Sequence, residues 1–284
     1  MRKGIDVGGT FIKVMWEDGR KEKFYVKDIS GDRERFLSKV LDVVKEGGPD
    51  AVGVAVAGFT SLNGIVYKSP NIPALNRVNI KALIEKEGIR CTVGNDVSVG
   101  AFGEWYYDYQ KSKSLLFVAI GTGLGAGLVV DGKPYLGACG SSLELGHHTV
   151  EIGGDLCSCG RQGCLEAYCS SYGFERIYEK LSGQKIRDYE VIKRASQGCD
   201  ISQEAIRIFK KYLLVGLMNA VHIFNPDLVL LGGGLIDAMK DFLGDLESEL
   251  KSMVEELPSE CMVLRFSKCA EFCIARGALA LVIS

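Results

Sequence analysis

Short apolar runs punctuated by glycine set the first pattern along this chain. Lys3 to Val7 and Phe11 to Trp16 predict two strands on either side of the turn Gly8-Gly9-Thr10, and the hairpin signal Asp18-Gly19 returns Lys21 to Val26 as a third, antiparallel strand. From about Asp32 to Glu46 the rhythm becomes helical. Phe36, Val40, Val43 and Val44 share one face, Ser30 is placed to cap the helix, and Gly47-Gly48-Pro49 ends it. Ala51 to Ala57 (AVGVAVA) is apolar throughout, as a buried parallel strand is. Gly58 to Asn79 reads as loop around SPNIPALN, followed by a short helix from Ile80 to Lys86, a strand from Ile89 to Val93 and a helix from about Ser98 to Tyr109. Helix and strand alternating in this way predict an α/β fold.

The opening pattern then returns. Leu115 to Ile120 runs into Gly121-Thr122-Gly123-Leu124-Gly125, a second strand reaches Val130, and Asp131-Gly132 closes it with the spacing of Gly8 to Gly19. A repeated strand, Gly/Thr turn and strand implies two related domains, each offering a turn to a shared cleft. Backbone N–H groups in such turns can cradle phosphate oxygens, and each turn taken alone can equally be a hairpin. A helix rather than a strand would follow a Rossmann turn, and the Gly-Lys-Ser/Thr ending of a P-loop is absent. The division expected is 1–110 and 111–270, with a small-faced C-terminal helix at about 271–284 completing the first domain.

The second half is mostly helical. Two short helices lie within Leu165 to Leu181, broken near Ser170-Ser171, then one from Glu190 to Ser196 and a long apolar one from Ser202 to Asn225. Leu228 to Leu231 is a short buried strand leading into Gly232-Gly233-Gly234, with a helix from about Asp237 to Glu256 and a last strand from Met262 to Phe266. Three glycines at a strand-to-helix junction allow close approach of a flat ligand, or simply a tight turn. Asn95 and Asp96 stand where a strand ends and a helix begins, a position that either caps the helix or faces a ligand.

Lys plus Arg (34) nearly balances Asp plus Glu (36), so no basic surface for nucleic acid is implied. No run of about 18 apolar residues is present to span a membrane, and Met1-Arg2-Lys3 leads straight into a strand without a signal region, so the expected location is cytoplasmic. The cytosol would keep most of the ten cysteines reduced. Three of them stand apart. Cys157, Cys159 and Cys164 form C-x-C-x4-C, ten residues after His147, in a glycine-rich stretch without apolar periodicity. That donor set suits tetrahedral Zn2+, bound at about 2.0–2.3 Å. Glu144 and Glu166 flank the same stretch, so closing it would hold two carboxylates and an imidazole together.

The D-x-G-G-T of Asp6 to Thr10, G-T-G-x-G of Gly121 to Gly125, E-x-G-H of Glu144 to His147, C-x-C-G-x-x-G-C-L-E of Cys157 to Glu166 and LGGG of Leu231 to Gly234 together resemble the ROK family of sugar kinases and sugar-responsive repressors. The resemblance covers the whole chain. It implies the actin-like (ribonuclease H-like) fold, two domains closing over ATP and a sugar, and a homodimer. By position, Asp6 would organise Mg2+, while Gly8, Gly9, Thr10, Gly121, Thr122, Gly123 and Gly125 would hold ATP phosphates. Gly232, Gly233 and Gly234 would border the adenosine. Asn95, Asp96, Glu144, His147 and Glu166 would bind the sugar, with Asp96 as general base and a structural Zn2+ on His147, Cys157, Cys159 and Cys164. The activity implied is that of a glucokinase-like ATP-dependent hexose kinase in carbohydrate metabolism, acting on the 6-hydroxyl of glucose or a related sugar such as an N-acetylhexosamine. The alternative is a non-catalytic sugar sensor. Family glucokinases commonly carry a lysine directly after D-x-G-G-T, where Phe11 stands here, and AGFTSLNG and NIPALN replace their GPVD and NLPGW. Repressor members add an N-terminal helix-turn-helix segment, whereas here the first strand is expected to begin by Gly4.

Overall fold

The structure is a computed structural model that describes residues 1–269 and 271–284. Its strands are β1 (Arg2–Val7), β2 (Phe11–Trp16), β3 (Lys21–Tyr25), β4 (Ala51–Val56), β5 (Phe59–Thr60), β6 (Ile65–Lys68), β7 (Val78–Asn79), β8 (Arg90–Asn95), β9 (Ser114–Ile120), β10 (Leu124–Val130), β11 (Lys133–Pro134), β12 (Leu228–Gly232) and β13 (Val263–Phe266). The helices are α1 (Arg33–Lys45), α2 (Ile80–Glu85), α3 (Asp96–Asp108), α4 (Ser171–Ser182), α5 (Asp188–Ser196), α6 (Asp200–Phe224), α7 (Gly234–Met239), α8 (Leu246–Lys251), α9 (Glu256–Cys261) and α10 (Cys273–Ile283). Among the described residues no helix is long and apolar enough to cross a membrane.

Two five-stranded sheets share one topology, β3-β2-β1-β4-β8 and β11-β10-β9-β12-β13. In the first, β1 pairs antiparallel with β2 and parallel with β4, and β4 pairs parallel with β8. In the second, β12 pairs parallel with both β9 and β13. The glycine turns seen twice in the sequence thus sit at the same point of the same strand order. Every residue of β4 is buried, which is why its sequence shows no polar alternation.

The chain packs into two compact units, 1–113 with 127–142 and 269–284, and 114–126 with 143–268. Residues 127–142 follow the second glycine turn in sequence, yet they pack with the first unit. A Cβ on Gly127 would lie 2.7 Å from that of Ala101, and one on Gly140 would lie 2.8 Å from Thr60 O. The division expected at 270 falls on a residue outside the described ones.

In the first unit α10 lies directly on the sheet. A Cβ on Gly4 would overlap Ala275 O and one on Gly53 would overlap Ala278 O, so the helix backbone rests on two strand glycines. Gly103 of α3 meets Gly277 of α10 in the same way, with a Cβ on the former only 2.5 Å from the Cα of the latter. The small-residue face of the last helix therefore serves backbone-to-backbone approach.

Three local expectations change. Asp32, not Ser30, caps α1: its carboxylate accepts the Arg35 N–H, while the Ser30 hydroxyl donates to Lys27 O. The expected loop between 58 and 79 contains a separate sheet, β5-β6-β7, whose strands of two to four residues are too short to show a periodicity. The single helix expected over 237–256 is broken between α7 and α8, because Gly244 turns left-handed (φ +61°) and Asp245 starts a new helix by accepting the Ser248 N–H.

Candidate functional site

In the first unit the candidate residues gather at the carboxyl ends of neighbouring parallel strands. Val7 of β1 is registered beside Val56 of β4, and Val56 beside Asn95 of β8, so the turn Gly8-Gly9-Thr10 and the pair Asn95-Asp96 lie along one edge of the sheet. Ligands of open α/β sheets bind at such edges. Gly8 N–H closes its turn on Phe11 O (3.1 Å), and a Cβ on Gly9 would reach 2.6 Å from Asn71 O, so the turn is pressed against the SPNIPALN segment. Thr10 is exposed.

Asp6 is partly buried near the end of β1, with Lys13 opposite it in register. Burial pushes its carboxyl up to about 6, with Lys13 drawing it only partly back. A divalent cation would offset that burial cost, which makes Asp6 a fitting residue for Mg2+. The same shift predicts a pH effect on the free protein. Because its folded value is raised, the stability it contributes is fully present below about 3.8 and is lost as pH rises through about 6. Asp6→Asn should therefore unfold later than wild type at pH 7 without nucleotide or Mg2+, by on the order of 1–3 kcal/mol, with the difference fading below about pH 4. Thermal melts of both proteins across that range check it. A variant less stable than wild type at pH 7 would remove burial as the dominant effect.

Asn95, rather than Asp96, caps α3. Its Oδ1 accepts the N–H groups of Val97 and Ser98, at 3.0 and 3.1 Å, and its Nδ2 donates to Gly58 O at 3.1 Å. Gly58 is held left-handed (φ +130°), where side chains are strained, and its Cβ position is occupied by the Lys68 backbone. Asp96 is the first residue of the helix, partly buried, its Oδ1 accepting the Val97 N–H at 3.0 Å. With the cap supplied by Asn95, the Asp96 carboxylate sits at the helix N-terminus, where negative charge is favoured.

The second unit repeats the strand-end arrangement. β9 and β12 run parallel, with Gly232 registered beside Ala119, so Gly121 to Gly125 and Gly232 to Gly234 are adjacent. A Cβ on Gly233, which has φ +95°, would fall on the Ile120 backbone. Gly121 N–H bonds Gly123 O at 2.9 Å, while Thr122 is exposed.

His147, Cys157, Cys159 and Cys164 converge, with one ligand atom from each within 4.8 Å of all the others. The hairpin that brings them in is held by Cys157 N–H to Arg161 O (2.8 Å) and turned by Gly160 and Gly163, both left-handed. Cys157 Sγ lies 3.6 Å from His147 Nδ1, and Cys159 Sγ 3.7 Å from Cys164 Sγ. Tetrahedral bonds of the usual zinc lengths separate two sulfurs by about 3.8 Å and a sulfur from an imidazole nitrogen by about 3.6 Å. The set fits Zn2+ in both geometry and ligand chemistry. Burial opposes the Cys159 thiolate, but hydrogen bonds from the Arg161 backbone and guanidinium and from the neighbouring thiols outweigh it and draw the thiol down to about 6. Burial and its neighbours push Cys164 up to about 12. Metal binding there would release protons.

Glu166 is 8% exposed and hydrogen-bonded through both carboxylate oxygens. Its Oε1 accepts Ser158 Oγ (2.6 Å) and Tyr172 OH (3.2 Å), and its Oε2 accepts the Leu124 N–H (3.0 Å). A Cβ on Gly123 would come 2.8 Å from that oxygen. The cysteine knot and the second glycine turn, read in the sequence as separate motifs, are thus joined through one carboxylate. Ser158 and Tyr172 were invisible as site residues: a serine inside C-x-C and a tyrosine at a helix start carry no spacing signal. Glu144 is exposed, and its carbonyl accepts the His147 N–H (2.9 Å), so its side chain and the imidazole leave a single short turn.

The ROK family model matches residues 2–284. The N-acetyl-D-glucosamine kinase of Haemophilus influenzae is 30% identical over 256 residues, covering 83% of this chain and 84% of that protein. The xylose repressor of Caldicellulosiruptor bescii is 27% identical over 317 residues, covering 99% and 77%. Among solved structures, a ROK family glucokinase from Streptomyces griseus in complex with glucose and AMPPNP is similar with a TM-score of 0.81 and 24% identity, covering 99% of this chain and 98% of that one. That likeness is one of fold, which is of the actin-like ATPase class. With its glycine turns, cysteine knot and nearly every residue matched, the chain belongs to the ROK family.

Proposed function

We propose that the protein is an ATP-dependent hexose kinase that transfers the γ-phosphoryl group to a sugar hydroxyl, the 6-hydroxyl of glucose or of an N-acetylhexosamine. The observation that carries this reading is Asp96, a carboxylate that opens α3 at its N-terminus, next to the cap Asn95 and on the same sheet edge as the Gly8 turn. Phosphoryl transfer requires positioning and charge neutralisation, and the acceptor hydroxyl must lose a proton. Asp96 takes that proton. Glycine turns from 8 to 10 and 121 to 125 orient the phosphates through backbone N–H groups and threonine hydroxyls, and Gly232 to Gly234 leave room for the adenosine. Asp6 would hold Mg2+, which supplies neutralisation of the phosphate charge. Asn95, Glu144, His147 and Glu166 bind sugar hydroxyls, and Zn2+ on His147, Cys157, Cys159 and Cys164 fixes the loop that carries them.

The similarity to a xylose repressor favours a second reading, a sugar-binding protein without turnover. Coupled measurement of ADP release across a panel led by glucose and N-acetyl-D-glucosamine separates the two. Sugar-dependent release is expected with at least one hexose; binding of a sugar without ADP release from any would leave the sensor.

Zinc should matter to the sugar. Cys159→Ser replaces a thiolate with a poor neutral ligand, so metal content should fall well below one ion per chain and sugar affinity by about tenfold or more. Because Glu166 also accepts the Leu124 N–H, nucleotide affinity should fall too, by less. Elemental analysis with separate titrations of sugar and nucleotide checks this. Unchanged sugar affinity in a folded, zinc-free variant would reduce the knot to a remote staple.

A further inference from the structure

A second cluster of soft and acidic side chains lies in the first unit, apart from the residues assigned to sugar, nucleotide and zinc. Glu104 of α3, Cys269 and Cys273 each bring one donor atom within 4.8 Å of the other two. Glu104 is only 2% exposed, and its Oε1 is 3.5 Å from Cys273 Sγ, which donates to it. Both cysteines keep partial exposure. Cys273 opens α10, and Cys269 is where the chain enters the first unit from the second.

We propose that Cys269 and Cys273 are a redox-active dithiol that reacts with small-molecule disulfides, Cys269 as the attacking thiolate, Cys273 as the resolving thiol and Glu104 as the base that takes the resolving proton. The roles follow from what each sulfur touches. Contact with the Cys273 sulfur and then with the Arg276 guanidinium holds Cys269 below the ordinary thiol range against burial and the Glu104 charge. Arg276 is itself fixed, 2.8 Å from Asp108 Oδ2 and stacked 4.1 Å over Tyr107. Cys273 is pushed well above that range, first by the neighbouring Cys269 sulfur and then by burial, so it keeps the proton that it donates to Glu104. A low thiol next to a high one, with a buried acid on the second, is the division of labour that thiol–disulfide exchange needs.

The steps balance. The Cys269 thiolate attacks one sulfur of the external disulfide, whose S–S bond breaks and releases one thiolate. Cys273 then gives its proton to Glu104 and attacks the Cys269 sulfur of the mixed disulfide. The second external thiolate leaves, and the two released thiolates take up protons as free thiols. Two protein thiols are oxidised to one disulfide, and the external disulfide is reduced to two thiols. A metal ion is the competing occupant. Three donors fall short of the four of a closed structural zinc site, and a guanidinium on Cys269 competes with any cation for that sulfur.

The test equilibrates the zinc-loaded, full-length protein with oxidised glutathione and maps cysteine states by peptide mass. Loss of two thiols per chain in one peptide linking Cys269 to Cys273 is the expected result. Cys273→Ser should instead accumulate a glutathione adduct on Cys269, and Cys269→Ser should form neither product at this cluster. Absence of the linked peptide in wild type, or of the adduct in Cys273→Ser, overturns the proposal. So does a second metal ion per chain that Cys273→Ser removes.

Discussion

Asp96→Asn is expected to cut phosphoryl transfer by about 100-fold to 10,000-fold while sugar affinity stays within about threefold of wild type. The amide is nearly isosteric with the carboxylate, so contacts to the sugar survive in shape, but it cannot accept the hydroxyl proton as the transition state forms. The cap on α3 belongs to Asn95, so the helix should not fray, and circular dichroism should be unchanged. That separation is what makes the variant informative: were Asp96 the cap, loss of activity would be confounded with loss of structure. Turnover measured at saturating ATP and sugar, beside sugar binding by calorimetry, checks both halves. Retention of more than about a tenth of wild-type turnover is incompatible with a base contribution of the usual size.

Gly53→Ala carries the largest expected effect on stability. The new Cβ would fall on Ala278 O and 2.6 Å from Ala278 C, and neither partner can turn away, since one is a central strand and the other a helix backbone. Packed interiors transmit such overlap instead of absorbing it. We expect a loss of about 3 kcal/mol or more, a fall of roughly 6–12 °C in Tm for a protein of this size. Gly31→Ala is the control. Nothing lies within 4 Å of its Cβ position, so its melt should shift by no more than the about 0.5 kcal/mol usual for surface changes. Equal melts for the two variants would mean that α10 lifts from the sheet at little cost.

The two effects come from different levels of the molecule, and so does their visibility in the amino-acid order. Strands, turns and α1 could be read because each depends on residues a few positions apart: the fully apolar β4, the face Phe36, Val40, Val43 and Val44, and the twice-used spacing from glycine turn to Asp-Gly hairpin. That spacing also predicted the repeat, and the two sheets carry it as one strand order. The C-x-C-x4-C pattern with His147 was legible for the same reason. A tight loop of eight residues leaves the three sulfurs few arrangements, and the four donor atoms do converge.

What the order of residues could not supply is every contact whose partners are far apart along it. Glu166 accepting the Leu124 N–H joins knot to turn across 42 positions. Gly4 and Gly53 look like ordinary weak points of strands until α10 is laid over them. Asp96 could be read as the cap of α3 until the backbone at the start of that helix gave the cap to Asn95. Residues 127–142 pack with the first unit although they follow the second turn, because Gly127 admits the α3 backbone and Gly140 the edge of the small sheet. Local periodicity and short covalent spacing are properties of the chain itself, so the repeat and the cysteine loop were determined before folding. Burial, close approach of backbones and the assignment of each hydrogen-bonding group to a partner arise only when distant segments compete for the same space, and that competition is decided in the tertiary structure.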